Sequence, residues 1–174
     1  MNNKTKFLWI GVFWLAMIGG FIISKQMTLW TGTEVFLKTV PVDPRDLFRG
    51  DYVVLRYDIS TINLDAVPAV YENIDDAVGK KIYVLLDVEN GRGKAGAVLV
   101  QPPTEGLFLK GTVTSVYGNH LTIEYGIESY FVPEGKGREI ERVTRDMEVK
   151  VAVDKFGNSS IKSLWVAGQE IAVK

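Results

Sequence analysis

The sequence contains no cysteine and a single histidine, His120, among its 174 residues. The absence of cysteine excludes disulfide bonds and thiolate metal ligands, and one histidine cannot supply a histidine-rich zinc site. The formal net charge is only −1 at pH 7, so the chain as a whole is not drawn electrostatically to nucleic acid. We therefore expect no metal ion, no cofactor and no nucleic-acid partner.

Long apolar runs are also scarce, and the one that exists spans residues 7–24, which include no charged residue. As an α-helix this run would be about 27 Å long, close to the ~30 Å thickness of a bilayer's hydrocarbon core. The run is longer than the apolar region of a signal peptide, and no small-residue cleavage site follows it. We predict a retained transmembrane anchor over residues 7–24. A cleaved signal peptide and a buried soluble helix stay open as alternatives.

The charges around this run predict its orientation. Lys4 and Lys6 precede it, and Lys25 follows it. The positive-inside rule places the short basic N-terminus in the cytoplasm, which predicts a single-pass protein of the cytoplasmic membrane with its C-terminal domain outside. The predicted organisation is a cytoplasmic segment 1–6, the anchor 7–24, a juxtamembrane linker 25–32 and an extracytoplasmic β domain 33–174.

The rest of the chain consists of short runs rich in Val, Ile, Tyr and Thr, separated by Gly, Pro, Asn and Asp. This pattern is typical of strands and turns. Turn residues at 90–93, 117–120 and 154–158 predict three hairpins. The predicted strands lie at 34–40, 52–58, 81–88, 96–101, 107–116, 121–125, 147–153 and 161–166. The fold class is therefore mainly β, with one antiparallel barrel or sandwich domain after the transmembrane helix.

Two further segments depart from the strand pattern. Residues 137–145 predict one short helix on the β domain. Residues 60–80 are polar and irregular, which predicts a surface excursion with a helical turn near 73–78.

Charge is concentrated between the first two predicted strands, where the acids Asp43, Asp46 and Asp51 alternate with Arg45 and Arg49. In a structural interpretation the acids cap turns and pair with the arginines. In a functional interpretation the guanidinium groups bind a carboxylate or phosphate of a ligand or partner. Calcium binding is a weaker third interpretation, because the interleaved arginines repel a cation.

A second segment, residues 125–137, places Tyr125, Tyr130 and Phe131 around Glu128 before a Pro-Glu-Gly turn. Such aromatic residues most often pack in a core, with a hydroxyl satisfied at its rim. The alternative is an aromatic wall beside the arginine-rich loop, which together would form a ligand pocket.

Residues 50–57, with the sequence GDYVVLRY, resemble the GDYXXLXY family of bacterial membrane-anchored proteins at every fixed position. The preceding DPRD and RG, and residues 125–135, also resemble that family. The resemblance implies the membrane-anchored class and a multi-pass membrane protein as a partner. It supplies no catalytic residue.

These observations favour a non-enzymatic binding or accessory module for an integral membrane or envelope partner. A module that binds a small anionic ligand and an envelope hydrolase with an unrecognised site are the alternatives. The candidate residues for binding a ligand or partner are Asp43, Arg45, Asp46, Arg49, Asp51, Tyr52, Tyr57 and Tyr130.

Overall fold

The computed structural model describes residues 3–40, 52–69, 74–131 and 147–171. One α-helix, α1, precedes a series of strands, and short 3₁₀ helices lie at Asp58–Ser60 and Ile74–Ala77. The helix and strands are α1 (Asn3–Thr31), β1 (Thr33–Lys38), β2 (Tyr52–Val54), β3 (Thr61–Asn63), β4 (Lys81–Glu89), β5 (Arg92–Leu99), β6 (Phe108–Tyr117), β7 (His120–Glu124), β8 (Ser129–Phe131), β9 (Met147–Val153), β10 (Ser159–Val166) and β11 (Gln169–Ile171).

Helix α1 is long and apolar enough to cross a membrane. The most apolar 18-residue window of its segment Thr5–Thr31 has a mean hydropathy of 2.1 and is not buried against the rest of the chain. The helix continues through the predicted linker to Thr31. Only Gly32 then separates it from β1, so the last turns of the helix take the place of a linker.

The strands form one nine-stranded sheet and a separate two-stranded sheet. The order in the large sheet is β11-β10-β9-β1-β5-β4-β6-β7-β3, and the small sheet pairs β2 with β8. Every ladder between these strands is antiparallel except that of β1 with β5, which meet in parallel at Phe36 and Arg92. The mainly β prediction is confirmed, and the sheet is mixed. A parallel neighbour is possible here because the long chain between β1 and β5 provides the crossover.

The three predicted hairpins are confirmed, joining β4 to β5, β6 to β7 and β9 to β10. Asn90 and Gly91 both have positive φ, 52° and 76°, as the tightest two-residue hairpin turns require. Gly157 in the third hairpin has a φ of 78°, the left-handed conformation that its position in the turn predicts. Turn chemistry therefore defines the local strand pairing.

The core lies on the inner face of the curved sheet. Alternate residues of β1, β4 and β9 point inward because successive side chains of a strand face opposite sides. Fully buried examples are Val35, Leu37, Ile82, Val84, Val149 and Val151. The sheet curls back on itself, since the main-chain N–H of Lys110 in β6 donates to the carbonyl of Gly157 in the β9–β10 turn at 2.8 Å.

Three short strands, β3, β8 and β11, were not predicted, and β3 lies within the predicted excursion of residues 60–80. The helical turn predicted near 73–78 is present as the 3₁₀ helix Ile74–Ala77. The short helix predicted over 137–145 lies outside the described residues.

Candidate functional site

Five of the predicted binding residues, Asp43, Arg45, Asp46, Arg49 and Asp51, lie outside the described residues. Their role as a ligand-binding loop therefore stays a prediction. The remaining three, Tyr52, Tyr57 and Tyr130, belong to two segments that the small sheet brings together. Tyr52 pairs with Phe131 and Val53 pairs with Tyr130 across β2 and β8.

Three alternate residues of the GDYVVLRY segment belong to the core. Val53, Leu55 and Tyr57 alternate along the chain and are 0%, 2% and 1% exposed. The main-chain N–H of Leu55 donates to the carbonyl of Glu128 at 2.7 Å, which extends the contact with the β8 segment. These residues therefore hold two distant parts of the chain together beneath the surface.

Two tyrosine hydroxyls complete this contact in a reciprocal arrangement, which we call the tyrosine clamp. Tyr57 Oη donates to the carbonyl of Ile127 at 2.6 Å, and Tyr125 Oη donates to the carbonyl of Ile59 at 2.7 Å. Each hydroxyl thus satisfies a buried carbonyl beside the other tyrosine. Burial, aided by the negative charge of Glu128, raises the pKa of both phenols, so both remain protonated donors.

Glu128 defines the turn that carries Tyr125. Its carboxylate accepts hydrogen bonds from the main-chain N–H groups of Tyr125 at 2.5 Å and Gly126 at 2.8 Å. Gly126 has a φ of 80°, a conformation that favours glycine. Tyr130 is partly buried and packs against the core. In the described part of this segment Tyr125 and Tyr130 pack in or against the core, whereas Phe131 is 56% exposed.

A second polar cluster lies near the first residue of β1, where α1 meets the β9–β10 turn. Asp154 accepts hydrogen bonds from Thr28 Oγ1 at 3.0 Å, from the main-chain N–H groups of Phe156 and Asn158 at 2.9 Å, and from Asn158 Nδ2 at 2.9 Å. Partial burial opposes ionisation, but these donors outweigh it and lower the pKa of the Asp154 carboxyl. We call this contact the helix junction.

Gly32 allows the helix junction to close. A Cβ atom at this position would overlap the carbonyl oxygen of Thr28 and would lie 2.9 Å from the main-chain nitrogen of Val153. The N–H of Gly32 donates to the Thr28 carbonyl at 3.0 Å. The end of α1 is therefore packed directly on β9.

A cleft of about 640 Å³ lies between the end of α1 and the β9–β10 turn. Met27 and Thr31 line it from the helix, and Lys155 and Phe156 line it from the turn. Phe156 is 63% exposed, and Trp30 on the helix is 77% exposed. Exposed large apolar side chains thus lie on both the helix and the turn at this end of the domain. The sequence interpretation did not include them, because it treated residues 25–32 as a linker and 154–158 only as a turn.

The outer face of β1, β9 and β10 carries paired charges. Glu34 binds Lys162 at 2.6 Å and Lys150 at 3.1 Å, and hydrogen bonds from these two lysines lower the pKa of Glu34. The Lys150 ammonium also lies 5.2 Å from the ring centroid of Phe36 and 5.3 Å from that of Trp165. This face is organised by contacts within the chain.

Across the described ranges, no group of three or more His, Asp or Glu residues is placed to hold a metal ion. Within the same ranges, every buried side-chain nitrogen or oxygen has a hydrogen-bond partner. The buried polar side chains of the described part are therefore fully hydrogen-bonded within the chain.

The chain matches the model of the GDYXXLXY protein family over residues 14–164 and belongs to that family. The match begins within α1 and ends in β10, so it covers the helix junction as well as the tyrosine clamp. No curated protein and no solved structure matches the chain.

Proposed function

We propose that this protein is a non-enzymatic binding module, tethered to the outer face of the cytoplasmic membrane, whose partner is an integral membrane protein. The observation that carries the proposal is the direct packing of a long apolar helix on the β domain, through Thr28, Gly32 and Asp154. Because no flexible linker intervenes among these residues, contacts made by the helix within the bilayer position the domain at its surface.

The length and hydropathy of α1 support the tether. Lys4 and Lys6 before the apolar segment support an orientation with the β domain outside. The cysteine-free chain offers a direct test. Tyr117, which is 87% exposed, can be replaced by cysteine and challenged in intact cells with a membrane-impermeable thiol reagent. Labelling in intact cells supports this orientation, and labelling only after lysis contradicts it.

One face of α1 is suited to contact another helix. Ala16 and Gly20 are four residues apart, which places both on the same face. A Cβ atom added at Gly20 would meet nothing within 4 Å, so the main chain is accessible there. Small residues at this spacing are typical of interfaces where transmembrane helices approach closely. We therefore propose that this face contacts the membrane partner.

Gly11 provides a matched control. It also has open space around it, but at about 100° per residue it lies on the side of the helix opposite to Gly20. We expect Gly20→Ile to reduce strongly the amount of integral membrane protein that remains bound to the full-length chain after mild detergent extraction. Gly11→Ile should leave that amount unchanged.

Extracts from cells with equal levels of each variant in the membrane fraction would be compared by quantitative mass spectrometry. Equal recovery of the same membrane protein with both variants would contradict the proposed helix face. Recovery of no membrane protein with the unmodified chain would contradict the proposed class of partner.

A further inference from the structure

The β9–β10 turn presents an apolar and a cationic side chain on a rigid support. Phe156 is 63% exposed although it is large and apolar. The Lys155 ammonium lies 5.0 Å from the centroid of the Phe156 ring. The Asp154 carboxylate holds the turn through the N–H groups of Phe156 and Asn158. The exposure of Phe156 therefore results from a fixed turn geometry.

The turn lies beside the end of the apolar helix. Asp154 is bonded to Thr28, and the cleft of about 640 Å³ has Met27 and Thr31 on one side and Lys155 and Phe156 on the other. Thr28 is four residues beyond the end of the uncharged run at residue 24, or about 6 Å along a helix. The polar layer of a bilayer is about 5–7 Å thick on each side.

We propose that the β9–β10 turn forms a second contact with the bilayer, in which Phe156 enters the boundary between headgroups and acyl chains and Lys155 binds a lipid phosphate. This inference rests on the proposed crossing of the bilayer by α1. Once the helix spans the membrane, its packing on the turn holds Phe156 and Lys155 at the depth of the headgroups. The adjacent cleft supplies room for a phospholipid headgroup.

The side-chain chemistry fits a phospholipid surface. Aromatic residues concentrate at the membrane–water interface, and Trp30, which is 77% exposed, follows Thr28 by two residues, or about 3 Å along the helix. Lysine carries a flexible apolar stem and an ammonium that reaches the headgroups. The turn thus combines an apolar group with a cation at a single depth, as an interfacial contact requires.

The experiment uses the full-length chain in vesicles of phosphatidylcholine and phosphatidylglycerol. Because the chain has no cysteine, one nitroxide label can be placed through Phe156→Cys, Tyr117→Cys or Leu15→Cys. Tyr117 is the matched control, because it is an exposed aromatic residue at another hairpin. Lys110 in β6 is the residue bonded to the β9–β10 turn. Tyr117 lies seven residues further along the same strand, about 20 Å from Lys110. Leu15 reports on the anchor.

Collision rates of each label with oxygen and with a water-soluble nickel complex give its depth. We expect the nickel collision rate at residue 156 to be several-fold lower than at residue 117, while residue 15 is inaccessible to nickel. Equal nickel accessibility at residues 156 and 117, with residue 15 still protected, would overturn the second contact and leave the anchor intact. Nickel accessibility at residue 15 would overturn the anchor and, with it, the contact.

Discussion

The tyrosine clamp and the helix junction use polar groups in different ways. At the clamp, Tyr57 and Tyr125 are buried, and both hydroxyls bind main-chain carbonyls. At the junction, Asp154 is partly exposed and organises a turn that carries the exposed Phe156. The clamp holds two core segments together, whereas the junction supports a turn on which the apolar Phe156 side chain is exposed. The comparison teaches that the residues spelling the family motif need not be those that meet a partner.

The largest effect is expected in the core beneath the clamp. Leu55→Ala removes a side chain that is 2% exposed, and such truncations cost about 2–5 kcal/mol of unfolding free energy. The melting temperature of the β domain should fall by roughly 4–20 °C. Circular dichroism of the full-length chain in detergent would measure it. Val88→Ala, at a position that is 45% exposed, is the control. Similar small losses for both variants would show that the motif does not support the core.

The clamp itself can be tested by removing one oxygen atom at a time. Tyr57→Phe and Tyr125→Phe each leave a buried carbonyl without its donor, which costs about 1–3 kcal/mol. Tyr117→Phe removes a hydroxyl from a side chain that is 87% exposed and should leave the unfolding free energy nearly unchanged. Chemical denaturation would compare the three variants. If all three variants had the same unfolding free energy, the clamp hydroxyls would contribute no more to stability than the exposed hydroxyl of Tyr117.

The junction should contribute less and should depend on pH. Asp154→Asn weakens the bonds that close the turn, and losses of this kind cost about 0.5–2 kcal/mol. The pKa of Asp154 is lowered from its usual value of 3.8. Its ionisation therefore stabilises the fold above pH 3.8, and this contribution is lost as the pH falls through the lower, folded-state pKa.

The difference in melting temperature between the unmodified chain and Asp154→Asn should accordingly be full at pH 7 and shrink below about pH 4. Thr28→Val removes only the bond from the helix and keeps the bonds within the turn, so its effect should be the smaller of the two. A larger loss for Thr28→Val would mean that the helix contact, and not the turn, dominates the junction.

The smallest effect on stability is expected at Phe156. Its side chain is 63% exposed, so Phe156→Ser should change the unfolding free energy by no more than about 0.5 kcal/mol. Thermal unfolding of the full-length chain in detergent would measure it. A large loss of stability would assign Phe156 to the core and remove the contrast between the two regions.

The sequence predicted best what is local in the chain. The three hairpins followed from turn residues that adjoin their own strands, and the apolar helix followed from one uninterrupted segment. Strands β3, β8 and β11 were missed because each has three residues, too few to show a period of two. The parallel pairing of β1 with β5 has no local signal, since it depends on how distant segments pack.

Among the candidate residues, too, features that depend on a local pattern could be predicted, and contacts between distant segments could not. The burial of Tyr57 follows from the alternation of residues 53, 55 and 57, which the strand pattern contains. Its partner Tyr125 was absent from the predicted binding residues, and the carbonyl that Tyr125 binds lies 66 positions away. Thr28 and Asp154 are separated by 126 positions. No spacing rule joins residues so far apart, and only the fold brings them into contact.

Gly32 has a mechanical consequence. With no room for a side chain between Thr28 and Val153, the helix and β1 are joined without a flexible linker, so under the proposed membrane crossing a change in the tilt of α1 would move β1 with it. Transmembrane helices tilt by about 20° on average, and over the ~20 Å length of β1 a rotation of that size would sweep its far end sideways by about 7 Å. Under the proposed membrane crossing, a change in bilayer thickness that altered this tilt would therefore reorient the β domain.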